Sequence, residues 1–182
     1  MRATLCALAA RGHAPSGCAL AVLAFEGIGG PVDPAAAYLW ALRGAHGGFP
    51  AAAAMVGDFY LHAEPEHFAC VRLTERALPW HEQAALAGHG HAALATSDSY
   101  RMGRGCDRDF ARAYLFVRVA AGLQAPPPPI IAVLAPSLIT DLQGERVAEL
   151  DAQAASLLED LPRADADLDG YWRSRAQQAG IG

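Results

Sequence analysis

Apolar residues near the end of the chain recur every three or four positions. Val147, Leu150, Ala154, Leu157, Leu158 and Leu161 all fall on one face of a helix. Thr140 is placed to start that helix, with Gln143 three residues on as the second half of a capping box. Farther upstream, Ala-rich stretches are separated by Gly, Pro and Asp. Ala92 to Met102 reads as one helix, because Gly103 and Gly105 can take the positive φ that stops it. Asp109 is placed to cap the next helix, which runs to about Ala121. Asp33 holds the same place before Pro34, whose missing N–H costs nothing in a first helical turn. Pro50 and Pro65 mark two more helix starts by the same argument.

These helices belong to a repeat. A large aromatic falls at Trp40, Trp80 and Phe116, at intervals of 40 and 36 residues. Gly48 and Gly88 each follow the first two aromatics by eight residues. Between them a small pair recurs as Gly44-Ala45, Ala84-Ala85 and Ala120-Ala121. Each unit reads as two helices, and residues 2–13 as the tail of a preceding one. One helical pair cannot bury its apolar face alone, so neighbours must stack into a continuous core. Tyr60, Tyr100, Trp40, Trp80 and Phe116 are the expected fillers, with Ala at the crossings. The expected fold is all-α: a short solenoid of about three two-helix repeats with a C-terminal capping helix.

The middle unit departs from the pattern. It is longer, lacks a Gly-x-Gly, and carries Ala63 and Pro65 where glycines are expected. Pro79 stands where a helix interior should be and is expected to split that helix, leaving an elbow near residues 62–79. After Gln124 come Pro126 to Pro129, which cannot be helical and read as a stiff spacer. The expected division is a repeat region at 1–124, a Pro-rich spacer at 125–136, a capping helix at 137–161 and a polar tail at 162–182 with little to bury.

Composition narrows the function. A hydrophobic share of 53% excludes disorder throughout, and sparse aromatic and β-branched residues disfavour an all-β fold. All 14 basic residues are Arg, which reads as a GC-rich bacterial genome. The net charge of −5 lies in residues 126–182, where 4 Arg meet 9 acids; residues 1–125 balance 10 against 10. Without a basic stripe, no nucleic-acid partner is expected. No run of about 18 apolar residues suggests a membrane span. The apolar start to Ala10 is too short for a signal peptide and is ended by Arg11, Gly12 and His13. The expected setting is the cytoplasm, with the periplasm as the alternative. Cys6, Cys18, Cys70 and Cys106 are too dispersed for a disulfide framework and read as small buried hydrophobes.

Over roughly residues 14–124 the pattern resembles the Sel-one-like repeats, relatives of the tetratricopeptide repeats. The third unit carries the likeness through Ala92, Tyr100, Gly103, Gly105, Asp109, Arg112, Ala113, Phe116, Ala120 and Ala121. The first matches at Leu20, Gly27, Gly29, Asp33, Ala37, Trp40, Arg43, Ala45 and Gly48. The second matches at Ala52, Gly57, Tyr60, Ala77, Trp80, Ala84, Ala85 and Gly88. The resemblance implies a right-handed α-α superhelix serving as a protein–protein interaction scaffold or adaptor, without catalysis of its own. Asp58, His62, Asp98 and Arg101, at positions the pattern leaves free on first helices, are the expected contacts with a protein partner. The alternative is a small-ligand-binding or hydrolase member of the penicillin-binding type. That branch pairs cysteines in fixed columns, and the four cysteines here share none.

No nucleotide-binding, nucleophile-elbow or zinc-protease motif is present, and no cofactor is expected. His62 and His67 are five apart with Pro65 between them, so one helix face cannot hold both. His89 and His91 lie in a Gly-rich turn, with His81 a helix away. Two loop histidines do not make the three or four converging ligands of a metal site, and none is expected. Asp107 and Asp109 read as loop and cap residues, not as a general acid–base pair.

Overall fold

A computed structural model of the chain describes residues 2–62, 74–142 and 146–161. The described residues are helical, with no strand among them, and they fall into two compact units.

The first unit holds α1 (Arg2–Ala10), α2 (Ala14–Phe25), α3 (Pro34–His46) and α4 (Pro50–His62). Each helix packs on the next, and α2 also touches α4. The core is largely Ala: Ala21, Ala24, Ala37, Ala41, Ala45 and Ala52 are all buried, around Leu20 and Val56. Small side chains let the backbones come close. A Cβ on Gly44 would lie 2.9 Å from the Ala14 carbonyl oxygen and from the Ala52 Cβ, so nothing larger than glycine fits between α2, α3 and α4. Arg43 Nη2 reaches the Ala10 carbonyl at 2.9 Å and satisfies the C-terminal end of α1.

The second unit holds α5 (Thr74–Ala85), α6 (Gly90–Met102), α7 (Phe110–Leu123), α8 (Ile131–Asp141) and α9 (Val147–Asp160). Here α5 packs on α6, α6 on α7, and both α8 and α9 on α7. Tyr100 and Phe116 are buried as expected and stack with centroids 6.2 Å apart. Trp40, Tyr60 and Trp80 are only half-buried. The last helix packs on α7. Leu150 and Ala154 are buried, Leu158 lies over Gly122 of α7, and Asp151 accepts from Tyr114 at 3.0 Å and pairs with Arg118 at 2.8 Å.

One hairpin is built twice. Gly27 and Gly103, Gly29 and Gly105, and Asp33 and Asp109 are each separated by 76 positions. The glycines have φ of 69° and 74° in the first unit and 70° and 77° in the second. Asp33 accepts from the Ala36 amide and Asp109 from the Arg112 amide, both at 2.9 Å. The Asp33 amide donates to Ala24 and the Asp109 amide to Tyr100, at 2.9 and 3.0 Å. The local sequence therefore specifies the turn twice over.

Three expectations fail. Pro79 does not split its helix: α5 runs unbroken from Thr74 to Ala85. Proline there deletes one hydrogen bond, to the carbonyl of Glu75, and both residues are exposed, so water replaces the lost donor. The stretch expected as spacer is helical from Ile131, and Pro136 sits inside α8 in the same exposed manner. Thr140 is not a helix start. It lies in the last turn of α8, where its hydroxyl donates to the Pro136 carbonyl at 3.1 Å, and the expected single helix is two, with Arg146 (φ 59°) preceding α9. Ala63, Pro65, Gln143 and the tail at 162–182 lie outside the described residues.

Candidate functional site

The four expected partner contacts fall two to a unit. In the first, Asp58 and His62 stand one turn apart on α4, Asp58 half-buried and His62 exposed. In the second, Asp98 and Arg101 stand on α6 and are paired with each other. Arg101 Nη2 donates to Asp98 Oδ1 at 2.6 Å, and Arg104 Nη1 donates to Asp98 Oδ2 at 2.7 Å. These groups are 31–43% exposed, so the pairing adds little stability, but it fixes two guanidinium groups around one carboxylate.

The surface that sequence reasoning missed surrounds the first hairpin. Val22, Phe25, Ile28 and Val32 expose 42, 43, 52 and 63% of their surface. Advancing each by the 76-residue repeat offset gives Asp98, Arg101, Arg104 and Arg108. One turn thus carries an apolar rim in the first unit and a charged rim in the second. Phe25 packs edge-on against Phe59 with centroids 5.7 Å apart, which ties the apolar rim to α4. Tyr38 continues the aromatic group, edge-on to Phe59 and Tyr60 and with its hydroxyl 2.8 Å from that of Tyr60. The offset was readable from the sequence as the sum of the 40- and 36-residue intervals, but the exposure of these four apolar residues was not.

A second unforeseen group lies under the charged rim. The Tyr100 hydroxyl donates to Glu82 Oε1 of α5 and accepts from Arg112 Nη1 of α7 at 2.6 Å, while the guanidinium carbon stands 5.2 Å from the Tyr100 ring centroid. Three helices are joined through one phenol. Burial, aided by the bond to Glu82, raises the Tyr100 phenol above its ordinary 10. The first unit has Ala24 and Ala36 at the positions of Tyr100 and Arg112 and cannot build the group.

One described histidine has a clear structural role. His89 N-caps α6, accepting from the Ala92 amide at 3.2 Å, and His13 at the equivalent place lies 2.7 Å from the Ser16 hydroxyl. His81 is buried in α5, and His67 lies outside the described residues. Among the described residues no three His, Cys, Asp or Glu side chains converge on a point. Cys6, Cys18 and Cys106 are free thiols; burial pushes Cys18 up to about 11 and also raises Cys106. Both are poor nucleophiles at neutral pH. No helix of the described residues is long and apolar enough to cross a membrane.

Stacked antiparallel helix pairs joined by a repeated hairpin define a helical-repeat protein. The particular architecture is the SLR, or Sel1-like repeat, fold. A Sel1 repeat protein from Oxalobacter formigenes aligns with a TM-score of 0.56 and 22% identity, over 62% of this chain and 44% of its own. A protective antigen of uropathogenic Escherichia coli displaying an SLR fold aligns with a TM-score of 0.63 and 19% identity, over 97% of this chain and 35% of its own. This chain therefore spans less than half the length of either protein. No family profile and no curated protein matches it.

Proposed function

We propose that the protein is an adaptor that holds another polypeptide and performs no chemistry of its own. The observation that supports this is the apolar rim. Four large apolar side chains grouped on one turn, each more than 40% exposed, are unfavourable on a surface with nothing to cover it and are characteristic of protein contact sites. The charged rim of the second unit supplies a surface of opposite character, suited to orientation and specificity more than to raw affinity. On this reading Asp58 and His62 join the contacts of the first unit, and Asp98 and Arg101 those of the second.

The test is capture from a bacterial lysate followed by reconstitution with the purified partner. The reading expects a 1:1 complex with a Kd in the micromolar range or tighter, weakened at least tenfold by Val22→Asp or Arg101→Glu in chains that melt normally. A partner that binds both variants as well as the native chain would refute the assignment of surfaces. Measurable turnover of a chromogenic β-lactam by the pure protein would replace the adaptor with a hydrolase.

A further inference from the structure

The apolar rim is complementary to itself. Val22, Phe25, Ile28 and Val32 stand exposed around the turn, and one charge of each sign flanks them. Glu26, exposed at the C-cap of α2, precedes the turn. Arg2 reaches in from α1, with Nη1 3.4 Å from the Gly29 carbonyl oxygen and close against Gly30. Ile28 lies between the two along the turn. Asp33, the other acid of this hairpin, is engaged in capping α3. We infer that this rim docks on the same rim of a second copy of the chain, in a twofold contact with Ile28 at the axis and Glu26 of each copy over Arg2 of the other.

Charge and area both favour this occupant. A twofold contact sets a patch against its own copy, so a patch pairs with itself only where it holds no excess of one sign. The first rim meets that condition, because the axis exchanges Glu26 and Arg2. The second does not. There Arg101, Arg104 and Arg108 occupy the places of Phe25, Ile28 and Val32, and self-pairing would set three cations and one carboxylate, Asp98, against the same set. The four apolar side chains of the first rim expose on the order of 350–400 Å². Homodimer interfaces are about 65% apolar, which scales this to about 1,100–1,200 Å² over both copies. That is the lower end of specific interfaces and fits a weak, reversible dimer. One surface cannot hold two occupants at once. An outside partner therefore takes the monomer and draws the dimer apart, and a concentrated adaptor at rest keeps its apolar rim out of water.

This inference rests on the reading of the rim as a contact surface and adds what covers it when no partner is bound. Sedimentation equilibrium of the full chain, from low micromolar to near-millimolar concentration, tests it. Monomer should give way to dimer with a midpoint on the order of 10–100 µM. Ile28→Arg sets two cations at the axis and should raise that midpoint at least tenfold. Arg2→Glu puts an acid in both flanking places and Glu26→Arg a base in both, so each chain alone should dimerise severalfold more weakly. Mixed in equal amounts, the two should recover the native midpoint, because each then meets its opposite. Far-UV circular dichroism at low micromolar concentration, where the chain is monomeric, checks that every variant keeps its native melting. A monomer throughout, a dimer indifferent to Ile28→Arg, or a mixture no tighter than its components overturns the assignment. Such a result leaves the outside-partner test standing, and a dimer that captures no partner sinks the adaptor reading alone, so the two failures are separable.

Discussion

The two hairpins, Gly27 to Asp33 and Gly103 to Asp109, share a backbone and differ in almost everything it carries. The turn is fixed by two glycines with positive φ and one aspartate cap, and these recur in both. Outside those three positions the first hairpin is apolar and the second charged: Val22 against Asp98, Phe25 against Arg101, Ile28 against Arg104, Val32 against Arg108. Beneath them Ala24 and Ala36 stand against the Tyr100–Arg112 pair. A repeat thus separates two jobs. Few residues hold the chain path, and the rest are free to define what the surface meets.

The largest expected effect divides two glycines of equal φ. A Cβ on Gly29 meets nothing within 4 Å, whereas one on Gly105 would lie 2.5 Å from the Thr74 carbonyl oxygen and 2.6 Å from the Glu75 Cα. Gly29→Ala should therefore cost only the left-handed strain, about 1–2 kcal/mol. Gly105→Ala adds a backbone clash, and the sum should reach about 3–4 kcal/mol. Urea unfolding measures both. Equal losses would mean that the second hairpin does not press on α5 and that the two turns are interchangeable.

Next come the caps. Asp33→Ala and Asp109→Ala should each remove about 1 kcal/mol, the usual worth of an N-cap oxygen. Asp109 also lies 3.6 Å from Arg112, but that pair is exposed and adds little. A loss at Asp109 exceeding that at Asp33 by more than about 1 kcal/mol would show that the cap also positions Arg112 on Tyr100.

How much of this was legible follows from the same division. The hairpins were read correctly because their determinants are local: a φ only glycine takes easily, and an oxygen three residues from the amide it accepts. Pro79 and Thr140 were misread because their outcome depends on what surrounds them. Water around an exposed Glu75 carbonyl lets proline stay in a helix, and a chain already helical from Ile131 leaves Thr140 no start to cap. The candidate site was half legible. Asp98 and Arg101 were found as charges at free positions, but their mutual pairing and the role of Arg104 are facts of geometry. The apolar rim was missed because hydrophobicity in a sequence does not say which side of a helix meets water.

Alkaline pH should distinguish the units at a smaller scale. The folded Tyr100 phenol titrates above 10 and the unfolded one near 10, so above pH 10 the native state holds the proton more tightly. Its contribution is complete below pH 10 and is lost as pH rises through the folded value. Urea midpoints of the native chain should fall more steeply above pH 10 than those of Tyr100→Phe, and absorbance at about 295 nm should show one late phenol fewer in the variant. Identical pH profiles would remove Tyr100 from the comparison. The first unit, with Ala24 in that place, has no counterpart to lose.

The smallest expected effect is the most telling for the surfaces. If each rim faces outward and carries no part of the fold, exchanging their side chains should leave stability nearly unchanged. Ile28→Arg gives the first hairpin the residue of the second, and Arg104→Ile does the reverse. Exposed substitutions away from caps and cores usually stay within about 0.5 kcal/mol. Arg104→Ile also gives up its contact with Asp98, an exposed pair worth about 0–1 kcal/mol, and Arg101 remains beside that carboxylate. Both variants should therefore unfold within about 1 kcal/mol of the native chain. Their binding of an environment-sensitive dye should move in opposite directions, down for Ile28→Arg and up for Arg104→Ile, as apolar surface is removed or added. A loss above about 2 kcal/mol at Ile28 would place that side chain in the packing of the first unit. The rim would then be a margin of the core, and the contrast between the hairpins would concern folding, not recognition.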